Sequence, residues 1–365
     1  MKRPLMKTRI GILTGGGDCP GLNAVIRAVV KTAAKRDWET VGILGGFDGL
    51  LPPRRTRLLD YHEMDGLLFV GGTVLGTANK GQFTAKTGHG VAQRIPDDVL
   101  EAARLTVSEL GLRALVVVGG DGSLSIAQQL HEKGIPLVGV PKTIDNDLEA
   151  TAITFGFDSA VDCATDALDR LRTTAESHGR VMVLEVMGRY AGWIAMYAGI
   201  AGGGDVILIP EIPFRFDRIC AKIAEREQDG RRFTLVVVAE GAHEHGGTYA
   251  TSGPQEANRE ARLGGIGARV AEEIQKRTGK EARVCVLGHL QRGGRPTTFD
   301  RLLCTRFGAN AVRLIAEEHY GCMVAFRPPD MVPVPITEAV GRLRRVPVDG
   351  DFVRTARALG ISLGD

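Results

Sequence analysis

Short runs of Val, Ile and Leu recur along the chain, each closed by Gly or Pro and followed by apolar positions at helical spacing. The runs are Ile10–Leu13, Val41–Leu44, Ala114–Val118, Pro136–Val140, Val181–Val186, Val206–Ile209, Leu235–Val238 and Val284–Leu287. Between them, helical spacing predicts Asn23–Lys35, Asp97–Leu110, Ser123–Lys133, Asp158–Thr174, Asn258–Arg277 and Phe299–Ala316. Continuous rather than alternating apolar runs belong to strands covered on both faces. Their alternation with helices predicts an α/β fold with mostly parallel sheets. Two such sets occur, one before about residue 150 and one after, with no internal repeat or low-complexity linker.

A length of 365 residues suits two domains of ordinary size. Apolar residues at 44% and charged residues at 24% are globular values. A net charge of only +3 and an aromatic content of 5% argue against a nucleic-acid binder, which needs a basic stripe or a stacking platform. The densest basic cluster, Arg342 to Arg345, reads as a solvated face. Six scattered cysteines without a CxxC pair fit reduced thiols in a cytoplasmic protein. The apolar run near the N-terminus is too short for a signal peptide, and Ala191–Gly204 falls short of the ~20 residues of a membrane span. Neither export nor membrane anchoring is therefore expected.

The 48 glycines direct attention to the strand ends, where open α/β sheets bind ligands. The first strand runs into Thr14-Gly15-Gly16-Gly17-Asp18-Cys19-Pro20-Gly21-Leu22-Asn23 and then a helix. Such a loop can turn backbone N–H groups toward an anion, or be a plain tight turn. It is not GxGxxG, and no GxxxxGK[ST] occurs, which counts against a nicotinamide-dependent oxidoreductase. Gly119-Gly120-Asp121-Gly122-Ser123 also opens a helix; its carboxylate can serve Mg2+ beside phosphates or cap the helix. Pro141-Lys142-Thr143-Ile144-Asp145-Asn146-Asp147 crowds two carboxylates, a Lys and a Thr at a strand end, fit for a general base or an Asx-turn. Met187-Gly188-Arg189 and Gly288-His289-Leu290-Gln291-Arg292-Gly293-Gly294 add two arginines in glycine loops, suited to phosphate. Together these loops offer a base, a metal carboxylate and a setting for an anionic substrate.

Taken as a set, in order and spacing from residue 10 to about residue 310, these motifs resemble those of 6-phosphofructokinases. The resemblance implies two Rossmann-like domains with the active site in the cleft between them. One would comprise residues 1–156 and 291–341 and bind the donor; the other, 157–290 and 342–365, would bind the sugar phosphate. It implies ATP-dependent phosphorylation of fructose 6-phosphate at its 1-hydroxyl. Gly17, Gly120, Asp121, Gly122 and Ser123 would hold the nucleotide, and Asp121 would ligate Mg2+. Asp145 would be the base with Thr143 beside it. Met187, Gly188, Arg189, Glu240, His289 and Arg292 would hold the sugar and the transferring phosphate. Arg180 and Arg283 match positions that reach the 6-phosphate from a neighbouring subunit, implying a homodimer or homotetramer with shared active sites.

Two departures from the pattern bear on the donor. Asn79 and Lys80 stand at the donor position where many ATP-using relatives carry Arg. Lys142 is similar to pyrophosphate-using relatives, which usually carry Asp at the position of Gly122. A side chain at Gly122 would occupy space needed by the α-phosphate, so Gly122 favours ATP; pyrophosphate is the alternative donor. Lys142 and Thr173–His178 look like a mixed subgroup of the family. Arg27, Arg172 and Asp205 match effector-binding positions, and Lys31 stands where Arg is common. The tail from Asp349 to Asp365 is expected to form a closing helix, and His243–Arg262 to be a surface insertion.

Overall fold

The computed structural model describes residues 7–78, 81–83, 86–87, 91–92, 94–247, 250 and 263–365. In chain order its strands are β1 (Arg9–Thr14), β2 (Glu39–Ile43), β3 (Thr56–Leu59), β4 (Lys86–Thr87), β5 (Val91–Ala92), β6 (Leu112–Gly119) and β7 (Leu137–Pro141). There follow β8 (Val181–Val186), β9 (Val206–Leu208), β10 (Thr234–Ala239), β11 (Ala282–Val286), β12 (Cys322–Arg327) and β13 (Asp330–Pro335). The helices are α1 (Leu22–Ala34), α2 (Asp97–Glu109), α3 (Asp121–Glu132), α4 (Phe157–His178) and α5 (Trp193–Ala201). Then come α6 (Phe216–Gln228), α7 (Ile266–Thr278), α8 (Thr298–Ala316), α9 (Ile336–Ala339) and α10 (Asp351–Ala358).

The chain divides into two compact units, each with its own main sheet, and β4 and β5 form a separate antiparallel pair in the first unit. The first holds Met1–Thr143, Leu148–Gly156 and Gly293–Arg342; the second holds Ile144–Asp147, Phe157–Arg292 and Leu343–Asp365. The first sheet runs β13-β12-β7-β6-β1-β2-β3, parallel from β12 to β2, with β13 and β3 antiparallel at its edges. The second runs β11-β8-β10-β9 and is parallel throughout. Every residue of β10 is buried, as are all but Arg113 in β6, because helices cover both faces. Each fully buried Val, Leu or Ile there contributes about 1.5–3 kcal/mol.

In the first unit α1 and α8 approach closely at Gly308, where a Cβ would lie 2.7 Å from the Ala28 Cβ and the Val25 carbonyl oxygen. Thr297 caps α8 by accepting the Asp300 N–H at 3.2 Å. The edge strands β3 and β13 lack a long apolar run, and the two prolines of β13 obscure it in the sequence.

Three expectations about helix extent change. Helix α4 continues past Thr174 to His178 and stops at Gly179, whose φ is 63°. Helix α7 starts at Ile266 behind Gly265 with φ 88°, while residues 251–262 lie outside the described residues, as do 248 and 249 of the expected insertion. The tail is helical only over Asp351–Ala358. After Gly360 (φ 74°), Ser362 pairs in parallel with Val206, its carbonyl accepting the Ile207 N–H at 2.9 Å. Ile361 and Leu363 are thereby buried, so the end of the chain contributes to the core of the second unit as an extended segment.

Candidate active site

In the first unit, the loops after β1, β6 and β7 are built around absent side chains. A Cβ at Gly119 would lie 2.2 Å from the Ser123 Cβ, and one at Gly15 would lie 2.7 Å from the Ser123 hydroxyl. A Cβ at Gly120 would come within 3.0 Å of the Lys142 carbonyl oxygen. The Ser123 side chain thus fills the space over Gly15 and Gly119, and at Gly120 backbone meets backbone. Gly15 donates to the Val118 carbonyl at 2.9 Å, and the Thr77 hydroxyl donates to the Gly16 carbonyl at 2.5 Å. Lys142 is buried, and its ammonium donates to the Gly17 carbonyl. The Thr143 carbonyl accepts from the Thr154 hydroxyl at 2.7 Å. Asn79 and Lys80 lie outside the described residues.

Gly120, not Asp121, takes the N-cap position of α3, so the capping alternative for Asp121 does not hold. Asp121 is the first helical residue and is 8% exposed; its Oδ1 accepts the Gly341 N–H at 3.2 Å. Gly122 and Ser123 follow in the same first turn. No group of three or more His, Cys, Asp or Glu residues suited to a metal occurs among the described residues. A single carboxylate at a helix N-terminus fits Mg2+ of the kind that keeps several waters and takes its other ligands from substrate phosphates.

In the second unit the central feature is Asp145. The residue is half-buried, and its Oδ1 is closed to solvent. Burial pushes its carboxyl up from 3.8 to about 7. The neighbouring Asp147 charge and Glu240 add to the rise, while Arg292 and Arg189 oppose it. Glu240 is itself raised, first by burial and then by Glu185, against the pull of Arg189 and Arg292. Three carboxyls, Asp145, Asp147 and Glu240, thus share one electrostatic neighbourhood with two guanidiniums, and Asp145 titrates where a general base is most effective.

The loop bearing Asp145 turns at Asn146, a non-glycine residue with φ 51°. Arg344 braces that turn. Its backbone N–H donates to the Asp147 carbonyl at 2.9 Å, and its guanidinium donates to the Asn146 side chain at 3.2 Å. The guanidinium also lies 4.8 Å from the Trp193 ring centroid, and the indole N–H donates to the Arg344 carbonyl at 2.9 Å. Arg344 is thus a packing residue, not part of the solvated face expected for the Arg342–Arg345 cluster.

The Met187–Arg189 loop follows β8, with Gly188 at φ 140°. Gly241 donates to the Gly188 carbonyl at 3.1 Å, and a Cβ at Gly241 would fall 1.9 Å from the Arg189 carbonyl oxygen. His289 and Arg292 share the 3-10 turn Gly288–Arg292, His289 exposed and Arg292 half-buried. Arg180 pairs with Glu281 at 2.7 Å, and Arg283, exposed on β11, pairs with the same carboxylate. Among the residues matched to effector positions, Arg172 lies over Phe233 at 5.6 Å and Asp205 pairs with Arg226 at 2.6 Å. Lys31 pairs with Asp65 at 2.5 Å.

The Phosphofructokinase family model matches residues 9–315. The chain is 54% identical over 361 residues to the ATP-dependent 6-phosphofructokinase of Chloroflexus aurantiacus, covering 98% of each. It is 48% identical over 341 residues to the pyrophosphate–fructose 6-phosphate 1-phosphotransferase of Amycolatopsis methanolica, covering 93% of this chain and 96% of that one. Among solved structures, the pyrophosphate-dependent phosphofructokinase of Nitrosospira multiformis superimposes with a TM-score of 0.80 at 22% identity, over 98% of this chain and 93% of that one.

Proposed function

This chain belongs to the phosphofructokinase family, and on that footing we propose that it transfers the γ-phosphoryl group of ATP to the 1-hydroxyl of fructose 6-phosphate. The observation that carries the reading is the Asp145 carboxyl, held near neutrality by burial and flanked by Arg189 and Arg292. A base poised near 7 can take the proton from an attacking hydroxyl, while guanidiniums offset the charge of the transferring phosphoryl group. Positioning and charge neutralisation are the main contributions a protein makes to phosphoryl transfer.

Under this reading the first unit serves the donor. Gly17, Gly120, Gly122 and Ser123 cradle its phosphates through backbone and hydroxyl groups, with Asn79 and Lys80 alongside. Asp121 holds Mg2+, which supplies charge neutralisation at the donor phosphates. The second unit serves the sugar phosphate through Met187, Gly188, Arg189, Glu240, His289 and Arg292, with Thr143 beside the base. Arg180 and Arg283 of one subunit complete the 6-phosphate site of its neighbour in a homodimer or homotetramer. Arg27, Lys31, Arg172 and Asp205 take part in effector control. The enzyme works in the cytoplasm. No helix among the described residues is long and apolar enough to cross a membrane.

ATP is favoured over pyrophosphate on two counts. Gly122 leaves room beside the α-phosphate, and the pyrophosphate-like Lys142 is engaged with the Gly17 carbonyl, where it braces the glycine loop. Purified protein assayed with fructose 6-phosphate should turn over with Mg·ATP. Turnover confined to Mg·pyrophosphate would refute the donor, and none with either would refute the reaction. Fructose 6-phosphate saturation curves unmoved by ADP or phosphoenolpyruvate would dismiss effector control.

A further inference from the structure

Gln291 sits between two residues assigned to the sugar phosphate, yet its own side chain faces inward and is 1% exposed. The amide is satisfied at both ends. Its Oε1 accepts the Met187 N–H at 2.7 Å, and its Nε2 donates to the Ala160 carbonyl at 3.1 Å. One planar group therefore joins three segments: the turn carrying His289 and Arg292, the loop carrying Arg189, and the first turn of α4. On its other side the Arg189 loop meets Glu240 and Gly241, whose N–H groups donate to the Val186 and Gly188 carbonyls at 2.9 and 3.1 Å. The absent side chain of Gly241 permits that approach, so the loop is held from both flanks.

We propose that Gln291 is a positioning residue that sets the separation of Arg189 and Arg292 and thereby the affinity for the phosphorylated sugar. The proposal rests on the sugar-phosphate assignment made above. An uncharged amide provides a donor and an acceptor in one plane at this length. A thioether of similar volume provides no donor and only a weak acceptor, and a carboxylate provides only acceptors. Because the carbonyl and the N–H belong to different segments, losing the amide frees the two arginines to drift relative to each other. Drift of about 1 Å at a bound phosphate is enough to cost a large factor in function.

The test compares wild type with Gln291→Met and Gln291→Glu in a steady-state assay with fructose 6-phosphate and Mg·ATP. In Gln291→Met the KM for the sugar phosphate should rise about tenfold while the KM for Mg·ATP stays within about twofold. Gln291→Glu keeps the acceptor for Met187 and should fall between the two. A general loss of folded protein would lower the active fraction without moving one KM alone. An unchanged sugar-phosphate KM, or a parallel rise in both KM values, overturns the proposal. If Gln291→Met does not fold, Gln291→Glu decides: a rise of about threefold or more supports it, and the wild-type value overturns it. An inactive wild type would bring down the proposed reaction and this inference together; an active wild type with unaltered variants would bring down the inference alone.

Discussion

Replacing Asp145 by Asn should slow catalysis by orders of magnitude and at the same time stabilise the protein at alkaline pH. The folded carboxyl titrates at about 7, against 3.8 for the ordinary side chain. The difference is about three pH units, and at 1.36 kcal/mol for each it amounts to roughly 4 kcal/mol. Because Asp145 keeps part of its surface in water, about 2–4 kcal/mol is the working range. The sign follows from linkage. The native state holds this proton more tightly than the unfolded chain, so stability is fully present below 3.8 and is lost as pH rises to about 7. Asparagine has no charge to bury and escapes that loss. The native carboxyl itself ionises only at the upper end of that window, so activity should rise with pH around 7, where the base becomes free to accept a proton. Urea unfolding can be followed by Trp193, which is buried in the same unit as Asp145, after Trp38→Phe removes the other indole. At pH 8 Asp145→Asn should be more stable by the stated amount, and by about half as much at pH 5. Its turnover should fall about 10²- to 10⁴-fold. A variant no more stable than wild type at pH 8, or a gap that does not narrow at pH 5, would show that Asp145 is not held as a costly buried charge.

Two further substitutions test the surrounding scaffold. Gly122→Asp should lower kcat/KM for Mg·ATP by about two orders of magnitude, since an acidic side chain would contest the α-phosphate space, with fructose 6-phosphate binding by calorimetry unchanged. Equal ATP use by the variant would remove Gly122 as the donor determinant. Gly241→Ala places a Cβ where 1.9 Å separates it from the Arg189 carbonyl oxygen, so the loop must move. A loss of about 1–3 kcal/mol in unfolding free energy and a raised sugar-phosphate KM are expected, and wild-type values for both would show that the Arg189 loop tolerates displacement.

The alternation of apolar runs with helical spacing was enough to read an α/β chain with two sheets, because strands buried on both faces need unbroken apolar sequence. Strand β10 is such a run, as is β6 beyond Arg113. The edge strands β3 and β13 were not legible, since an edge needs only one apolar face and tolerates proline. The closing helix was only partly legible. Helical spacing does not reveal that Ser362 will pair with Val206, a contact made across the fold.

The site divides along the same line. Residue types and spacing at the strand ends point to Asp121, Asp145, Arg189, His289 and Arg292 as candidates, because phosphoryl transfer calls for carboxylates and cations on glycine-rich loops. The state of those groups was not written in the spacing. That the Asp145 carboxyl is raised to about 7 depends on its burial, with Asp147 and Glu240 adding to the rise and Arg189 and Arg292 opposing it. The inward amide of Gln291, the bracing of Asn146 by Arg344 and the engagement of Lys142 with Gly17 are likewise contacts between distant positions. Local pattern reports what a residue can do. Desolvation and charge coupling are sums over neighbours in space, and those neighbours exist only once the chain has folded.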